Sequence, residues 1–178
     1  EQVERKVAAV FGQPWGKLND QLAMLYGGID SKEVTERATD PSGAMGAIQR
    51  ILSNDVACKQ TALDFSRPNA ERIFFKDIEP DVLPGTAESD LKIRKTIAHL
   101  HQRILGRSDA ADSTEVKRTF ELFSGIVADA AERKTVNKEE NWSCRQGLIQ
   151  PVPDPKYTVR AWRAVITYLL RRPEFLYE

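Results

Sequence analysis

The spacing of apolar residues in the last third of the chain constrains its fold more than any other feature. Apolar side chains recur there at the i, i+3, i+4, i+7 and i+8 positions of an α-helix, at Trp162, Val165, Ile166, Leu169 and Leu170. The pattern predicts an amphipathic helix that begins with Thr158 as its N-cap and is terminated by Pro173. Its opposite face is polar and predicted to be solvated: Arg160, Arg163, Thr167 and Arg171.

The same spacing predicts helices elsewhere, and no segment shows the alternation of a strand. The predicted helices span about 1–11, 14–26, 44–63, 89–105 and 113–134. Ser89 is the predicted N-cap of the fourth helix and Gly106 its C-terminal stop, and Asp112 or Ser113 is the predicted N-cap of the fifth. Prolines at 151, 153 and 155 predict a long loop over 135–157. We therefore predict an all-α fold, an irregular orthogonal helical bundle with long Pro-rich loops.

The chain is long enough for one domain. It has 178 residues, 41% of them hydrophobic, so we expect a single helical domain over 1–178, with N-terminal helices in 1–66 and a C-terminal helical module in 86–178. Its longest uncharged apolar run, 164–170, is far shorter than the roughly 20 residues that a membrane-spanning helix needs. The apolar ending at 173–178 predicts that further polypeptide follows.

Charge is balanced overall but divided along the chain. The 26 basic and 26 acidic residues cancel, which argues against a dedicated polyanion binder and against nucleic acid as a partner. Residues 1–90 nevertheless carry a net charge of −5 and residues 91–178 one of +5. Opposed halves of this kind could attract each other or a dipolar partner surface.

Two cysteines, Cys58 and Cys144, leave two interpretations open. Neither belongs to a C-x-x-C motif, which excludes covalent c-type haem attachment and a four-cysteine zinc site. A disulfide would pin the Pro-rich loop to a core helix and would contribute about 4 to 5 kcal/mol in the chain-entropy description. The alternative is two buried free thiols; the even count favours the disulfide.

No catalytic, cofactor-binding or metal-binding motif is present. His99 and His101 lie two positions apart on a predicted helix and point in nearly opposite directions, so they cannot chelate one metal ion. His101 alone could ligate a haem, although a hydrogen-bonded histidine at the core boundary is the ordinary explanation. No nucleophile signature such as G-x-S-x-G occurs, and we predict no catalytic residue in this chain.

Three stretches carry a resemblance to a known family. They are residues 26–41 with 55–59 and 64–65, the IAHLHQRILGR segment at 97–107, and the ending at 162–177 with its PEFLY motif. Together they resemble the large exported planctomycete-type proteins with cytochrome-c-associated helical domains of unknown function. The resemblance implies export to the periplasm or cell envelope and a c-type haem on a partner, since this chain has no C-x-x-C-H motif. It supplies no catalytic residues.

These observations lead to a first functional hypothesis and two alternatives. The first is a non-catalytic helical interaction module of a periplasmic or envelope-associated, redox-linked assembly. Its partners would be other protein subunits, including a c-type cytochrome, bound through Trp162, Phe175 and Tyr177. The alternatives are a fragment of an exported enzyme, an oxidoreductase or polymer-degrading enzyme whose reacting groups lie outside this chain, and a cytosolic regulatory helical domain.

Overall fold

The regular structure is helical, as the apolar spacing predicts. The structure is a computed structural model and describes residues 2–17, 43–133, 144 and 151–177. These contain no strand, so the all-α class is confirmed. The helices are α1 (Gln2–Phe11), α2 (Gly43–Phe65), α3 (Ala87–Leu105), α4 (Thr114–Glu132), α5 (Thr158–Leu170) and α6 (Pro173–Tyr177), with a 3₁₀ turn at Asn69–Glu71.

α5 lies at the centre of the bundle and packs against α2, α3, α4 and α6. The Trp162 side chain is completely buried. Its ring centroid lies 4.5 Å from that of Phe123 on α4 and 5.3 Å from that of Phe75. Phe75 in turn stacks on Phe65 of α2, with 4.2 Å between centroids. Four aromatic rings thus join three parts of the chain around one helix.

Both ends of the described chain enter the same core. Val3, Val7 and Phe11 of α1 belong to the buried cluster that also contains Phe175 of α6. Lys6 Nζ donates to the Phe175 carbonyl oxygen at 3.1 Å. α1 was predicted at about this position. Of the helix predicted over 14–26, residues 14–17 are not helical, and the remainder lies outside the described residues.

A buried aspartate organises the irregular segment between α2 and α3. The carboxylate of Asp64, which is 1% exposed, accepts hydrogen bonds of 2.8 to 3.0 Å from the backbone N–H groups of Ile73, Phe74 and Phe75. Arg72 closes the next turn by donating to the Ile78 carbonyl oxygen. These bonds replace regular secondary structure and aim both phenylalanine rings into the core.

The observed caps of α3 and α4 agree in part with those predicted from the sequence. Gly106 adopts a left-handed conformation (φ 69°) after α3, and Ser113 caps α4 through the Val116 N–H, both as predicted. The predicted N-cap Ser89 is wrong: Thr86 is the cap. Ser89 occupies the third helical position and completes a capping box with Thr86.

α5 begins differently from the prediction and ends before Pro173, as predicted. Its N-cap is Tyr157, at φ 63°, and Thr158 is the first helical residue. The capping group is the buried carboxylate of Asp154, which accepts from the backbone N–H groups of Val159 and Arg160. Pro173 does not merely terminate α5. It opens α6, because a proline fits the first turn of a helix, where no N–H is needed.

Arg160 corrects the predicted solvated face of α5. It is only 8% exposed, and its Nε donates to Asp154 Oδ2 at 2.7 Å. Its guanidinium also lies 4.1 Å from the centroid of the Tyr157 ring. The polar face is therefore partly an internal ion pair rather than a hydrated surface. No helix within the described ranges is long and apolar enough to cross a membrane.

Candidate functional site

Two of the three predicted partner-binding rings are core residues. Trp162 is 0% exposed and Phe175 is 2% exposed, so neither ring presents the surface that this hypothesis requires. Trp162 belongs to the i, i+3, i+4 stripe of α5, and Phe175 follows the turn into α6. Both side chains lie in the same buried cluster. The Tyr177 side chain lies outside the described residues. A partner surface has to be sought elsewhere.

A groove runs along α4 and α5 on the outer side of the bundle. It consists of two adjoining depressions of about 410 and 480 Å³. They share three lining residues, Leu122 and Ile126 of α4 and Tyr157 before α5. We call this the α4–α5 groove. The first depression is also lined by Glu121, Gly125 and Asp129. The second is also lined by Asn54, Arg160, Arg163, Ala164, Thr167, Tyr168 and Arg171.

Helical periodicity explains why the groove is apolar along its floor. Leu122 and Ile126 are four residues apart on α4 and lie beside, not within, the stripe that faces the core. Ala164 and Tyr168 repeat the same interval on α5. All four are half-buried, so this second stripe retains apolar surface outside the core.

The backbone conformation of Tyr157 places its side chain in the groove. The left-handed conformation lets the chain turn sharply from the 151–156 segment into α5. The neighbouring Asp154–Arg160 ion pair fixes that turn from inside, and the Arg160 guanidinium packs on the Tyr157 ring. The aromatic ring is therefore held in position by buried charges.

The two depressions of the groove differ in charge: Glu121 and Asp129 line one, and Arg171 lines the other. Arg171 donates to Ser53 Oγ at 2.9 Å and to Asn54 Oδ1 at 3.0 Å, both neutral acceptors. Glu121 is exposed and has no ion-pair partner among the described residues. Asp129, by contrast, pairs with Arg133 at 2.7 Å. Neither Arg171 nor Glu121 is neutralised by an ion pair in the described part of the chain.

A disulfide contacts Arg163, one of the residues that line the groove. Cys58 on α2 and Cys144 are bonded, with their Cα atoms 5.2 Å apart, so the predicted bridge is confirmed. Arg163 of α5 donates from Nη1 to both sulfur atoms at 3.5 Å. The bridge thus fixes residue 144 against α2 and α5, while 135–143 and 145–150 of the predicted Pro-rich loop lie outside the described residues.

His101 forms a hydrogen-bonded cluster that the sequence did not indicate. Its Nδ1 donates to Asp109 Oδ2 at 2.8 Å, because the carboxylate can only accept, and its Nε2 lies 3.1 Å from Thr119 Oγ1. The order of hydroxyl, imidazole and carboxylate is that of a catalytic triad. Thr119, however, is 1% exposed and donates its hydroxyl to the Glu115 carbonyl oxygen. No substrate can reach this hydroxyl, so the cluster is structural.

The structure agrees with the prediction that His101 is hydrogen-bonded and that His99 and His101 point in different directions. His101 is a buried, hydrogen-bonded residue, and both of its ring nitrogens are engaged, which leaves neither directed at a haem. His99 lies on another face and its Nε2 is 2.9 Å from the Ile73 carbonyl oxygen. Within the described ranges, no group of three or more His, Cys, Asp or Glu side chains could hold a metal ion.

Comparisons with known proteins supply no relative for this site. Models of protein families, curated proteins and solved structures were compared with the chain, and none matches. The sequence analysis did not predict the α4–α5 groove, because it considered only the buried face of each helix. The available signal was their own four-residue interval, continued by Ala164 and Tyr168 on the next helix.

The charged cluster around Asp109 predicts a specific dependence of stability on pH. Burial raises the pKa of Asp109, but the hydrogen bond from His101 and the charge of Arg107 outweigh it and lower the pKa below 3.8. Its stabilising effect is complete above the ordinary value and disappears as pH falls through the lowered folded-state pKa. Asp109→Asn should therefore lower the free energy of unfolding at neutral pH by about 2 kcal/mol. The variant should also lose less of its free energy of unfolding as the pH falls.

Urea unfolding of both proteins at a series of pH values measures this effect. Asp129→Asn is the matched control, since Asp129 pairs with Arg133 on the surface and its side chain is 56% exposed. An exposed pair of this kind contributes about 0 to 1 kcal/mol. Equal losses in the two variants, or an unchanged acid decline in Asp109→Asn, would show that the cluster does not stabilise the fold as described.

Proposed function

We propose that this chain is a non-catalytic helical interaction module, a subunit or domain of a larger assembly that works outside the cytoplasm. The observation that carries the proposal is the α4–α5 groove, with an apolar and aromatic floor between an arginine and a glutamate that lack ion-pair partners among the described residues. Tyrosine and arginine, together with tryptophan, are enriched at the energetic centres of protein interfaces. The groove replaces the buried Trp162 and Phe175 as the proposed contact surface, and the role of Tyr177 stays a prediction.

The charges of the groove specify what kind of partner fits it. A segment that places an acidic side chain at Arg171 and a basic side chain at Glu121 would neutralise both. Between them it would cover Leu122, Ile126 and Tyr168 with apolar residues. An amphipathic helix with charges of opposite sign at its two ends meets these requirements. The proposed partner is therefore a protein segment with a dipolar, apolar-centred face.

One observation, together with what the family resemblance implies, supports a location outside the cytoplasm. The Cys58–Cys144 disulfide is of the kind that persists in oxidising compartments. The family resemblance implies export to the periplasm or envelope, and it also motivates a c-type cytochrome as the partner. The alternative of an exported enzyme keeps its reacting groups outside this chain, since the Thr119–His101–Asp109 cluster is closed to substrate.

Site-specific photocross-linking in the chain's own cells tests the groove. Gly125 lines it and is exposed, and a Cβ built there meets no atom within 4 Å, so a side chain can be introduced at this position. The matched control site is Leu91, 43% exposed on α3. We expect one protein to be cross-linked from position 125 and not from position 91. An absorbance band in the Soret region of that purified protein would identify it as a haem protein.

Binding of the purified partner then decides whether the groove is the contact. Arg171→Glu and Glu121→Lys should each weaken binding about tenfold or more, because each places like charges together. Lys95→Glu, an exposed reversal on α3, should leave the affinity unchanged. Equal cross-linking at both positions, or equal weakening by Lys95→Glu, would contradict the proposal.

The oxidation state of the native protein tests the proposed compartment separately. Chain isolated from its own cells into alkylating agent, without reductant, should carry no alkyl groups on Cys58 and Cys144. Its intact mass would then change only after reduction. Two alkylated thiols before reduction would place the chain in a reducing compartment and favour a cytosolic regulatory domain.

A further inference from the structure

The two cysteines of the Cys58–Cys144 bridge differ in their access to solvent. Cys58 lies on α2 and is partly exposed, whereas Cys144 is only 2% exposed. The rate at which a thiolate attacks a disulfide depends on access to the sulfur atom that it attacks. A thiol that arrives from solvent should therefore react at Cys58 in preference to Cys144.

A positively charged side chain lies against both sulfur atoms. Arg163 of α5 donates from Nη1 to Cys58 Sγ and to Cys144 Sγ, each 3.5 Å away. The arginine is half-buried, so its charge is screened less than that of a surface arginine. A neighbouring positive charge lowers the pKa of a thiol, and a thiol of low pKa leaves faster in disulfide exchange. Arg163 is therefore placed to stabilise the sulfur atom that leaves when the bridge is attacked.

The acidic residue that precedes Cys58 on the same helix is engaged elsewhere. Asp55 Oδ2 accepts from Lys17 Nζ and from Trp15 Nε1, each at 2.8 Å. Burial raises the pKa of Asp55, but the hydrogen bonds from Lys17 and Trp15 outweigh it and lower the pKa below its ordinary value. This carboxylate is therefore ionised and paired with Lys17, and it does not draw Arg163 away from the sulfur atoms.

The bridge is not the only connection between α2 and α5. The two helices pack directly on each other, and both contribute to the buried cluster. Arg171 of α5 also donates to Ser53 and Asn54 of α2. Breaking the disulfide therefore releases residue 144 from α2 without separating the two helices. An exchange reaction at the bridge does not require the whole chain to unfold.

We propose that the Cys58–Cys144 bridge is a site of thiol–disulfide exchange, which the dithiol of an external redox protein reduces by attack on Cys58. Partly exposed cysteines beside a positive charge are the reactive ones in proteins, whereas cysteines buried among apolar groups are inert. The inference is independent of the partner proposed for the α4–α5 groove.

The reaction has two steps. A thiolate of the dithiol attacks Cys58 Sγ, the bond between Cys58 and Cys144 breaks, and Cys144 leaves as a thiolate beside Arg163. The other thiol of the dithiol then loses its proton to solvent and attacks the dithiol sulfur that is bonded to Cys58. This closes the disulfide of the reductant and releases Cys58 as a thiolate. The bridge is reduced by two electrons, and the dithiol is oxidised by the same number.

Glutathione, a monothiol, identifies the sulfur that is attacked, because it leaves a mixed disulfide on that cysteine. The oxidised full chain is exposed briefly to glutathione, quenched with acid and alkylated, and its peptides are analysed by mass spectrometry. We expect glutathione on Cys58 and the alkyl group on Cys144. Glutathione mainly on Cys144, or equally on both, would contradict the proposed direction of attack.

The urea dependence of reduction by dithiothreitol distinguishes exchange in the folded chain from exchange after unfolding. We expect the rate to be proportional to dithiothreitol and unchanged by urea below the unfolding transition. A rate that rises with urea in step with the population of unfolded chain would overturn the proposal, since the bridge would then be purely structural.

Replacement of the arginine tests its role in the same assay. Arg163→Met should slow reduction by dithiothreitol about threefold or more, because Cys144 becomes a poorer leaving group, and Arg163→Lys should recover part of the rate. Loss of the fold cannot imitate this result, since an unfolded chain exposes its disulfide and is reduced faster. Arg118→Met, which removes a 64% exposed arginine from α4, is the control and should leave the rate unchanged. Equal rates for Arg163→Met and Arg118→Met would show that Arg163 does not assist the exchange.

Discussion

The burial of α5 around Trp162 is the constraint on which the rest of the structure depends. This helix contacts α2, α3, α4 and α6, and the Trp162 ring joins Phe123 of α4 to Phe75 of the segment after α2. Removing a tryptophan ring from such a core typically costs about 3 to 5 kcal/mol. The indole N–H of Trp162 is buried without a hydrogen-bond partner among the described residues, so apolar packing outweighs that penalty here.

The same helix that closes the core also creates the candidate contact surface. Its inward stripe is Trp162, Val165, Ile166 and Leu169, and the residues between them necessarily point outward beside α4. Buried charges then shape that outer face: the Asp154–Arg160 pair fixes the start of α5 and holds Tyr157 in the groove. Arg163 links this face to the disulfide. Core and groove thus follow from the placement of one helix, and Arg163 connects that helix to the covalent bridge.

Sequence reasoning succeeded where local pattern decides and failed where tertiary contacts decide. Apolar spacing predicted five helices that the structure contains, and Gly106 and Ser113 act as predicted because a left-handed stop and a serine cap depend on neighbours within one turn. The cap of α5 is different, since Asp154 reaches it from outside the helix. Arg160 seemed solvated because its buried partner is not visible in a helical pattern. Phe175 seemed exposed because a short apolar ending does not reveal the pocket that receives it.

Native-state hydrogen exchange tests the central role of α5 most directly. We expect the backbone amides of Val165, Ile166 and Leu169 to exchange only when the whole chain unfolds, so that their protection equals the global free energy of unfolding. Amides near the start of α3, beside the exposed Leu91, should exchange through smaller local openings. Faster exchange in α5 than in α3, at any denaturant concentration below the unfolding midpoint, would contradict the claim that the fold is built around Trp162.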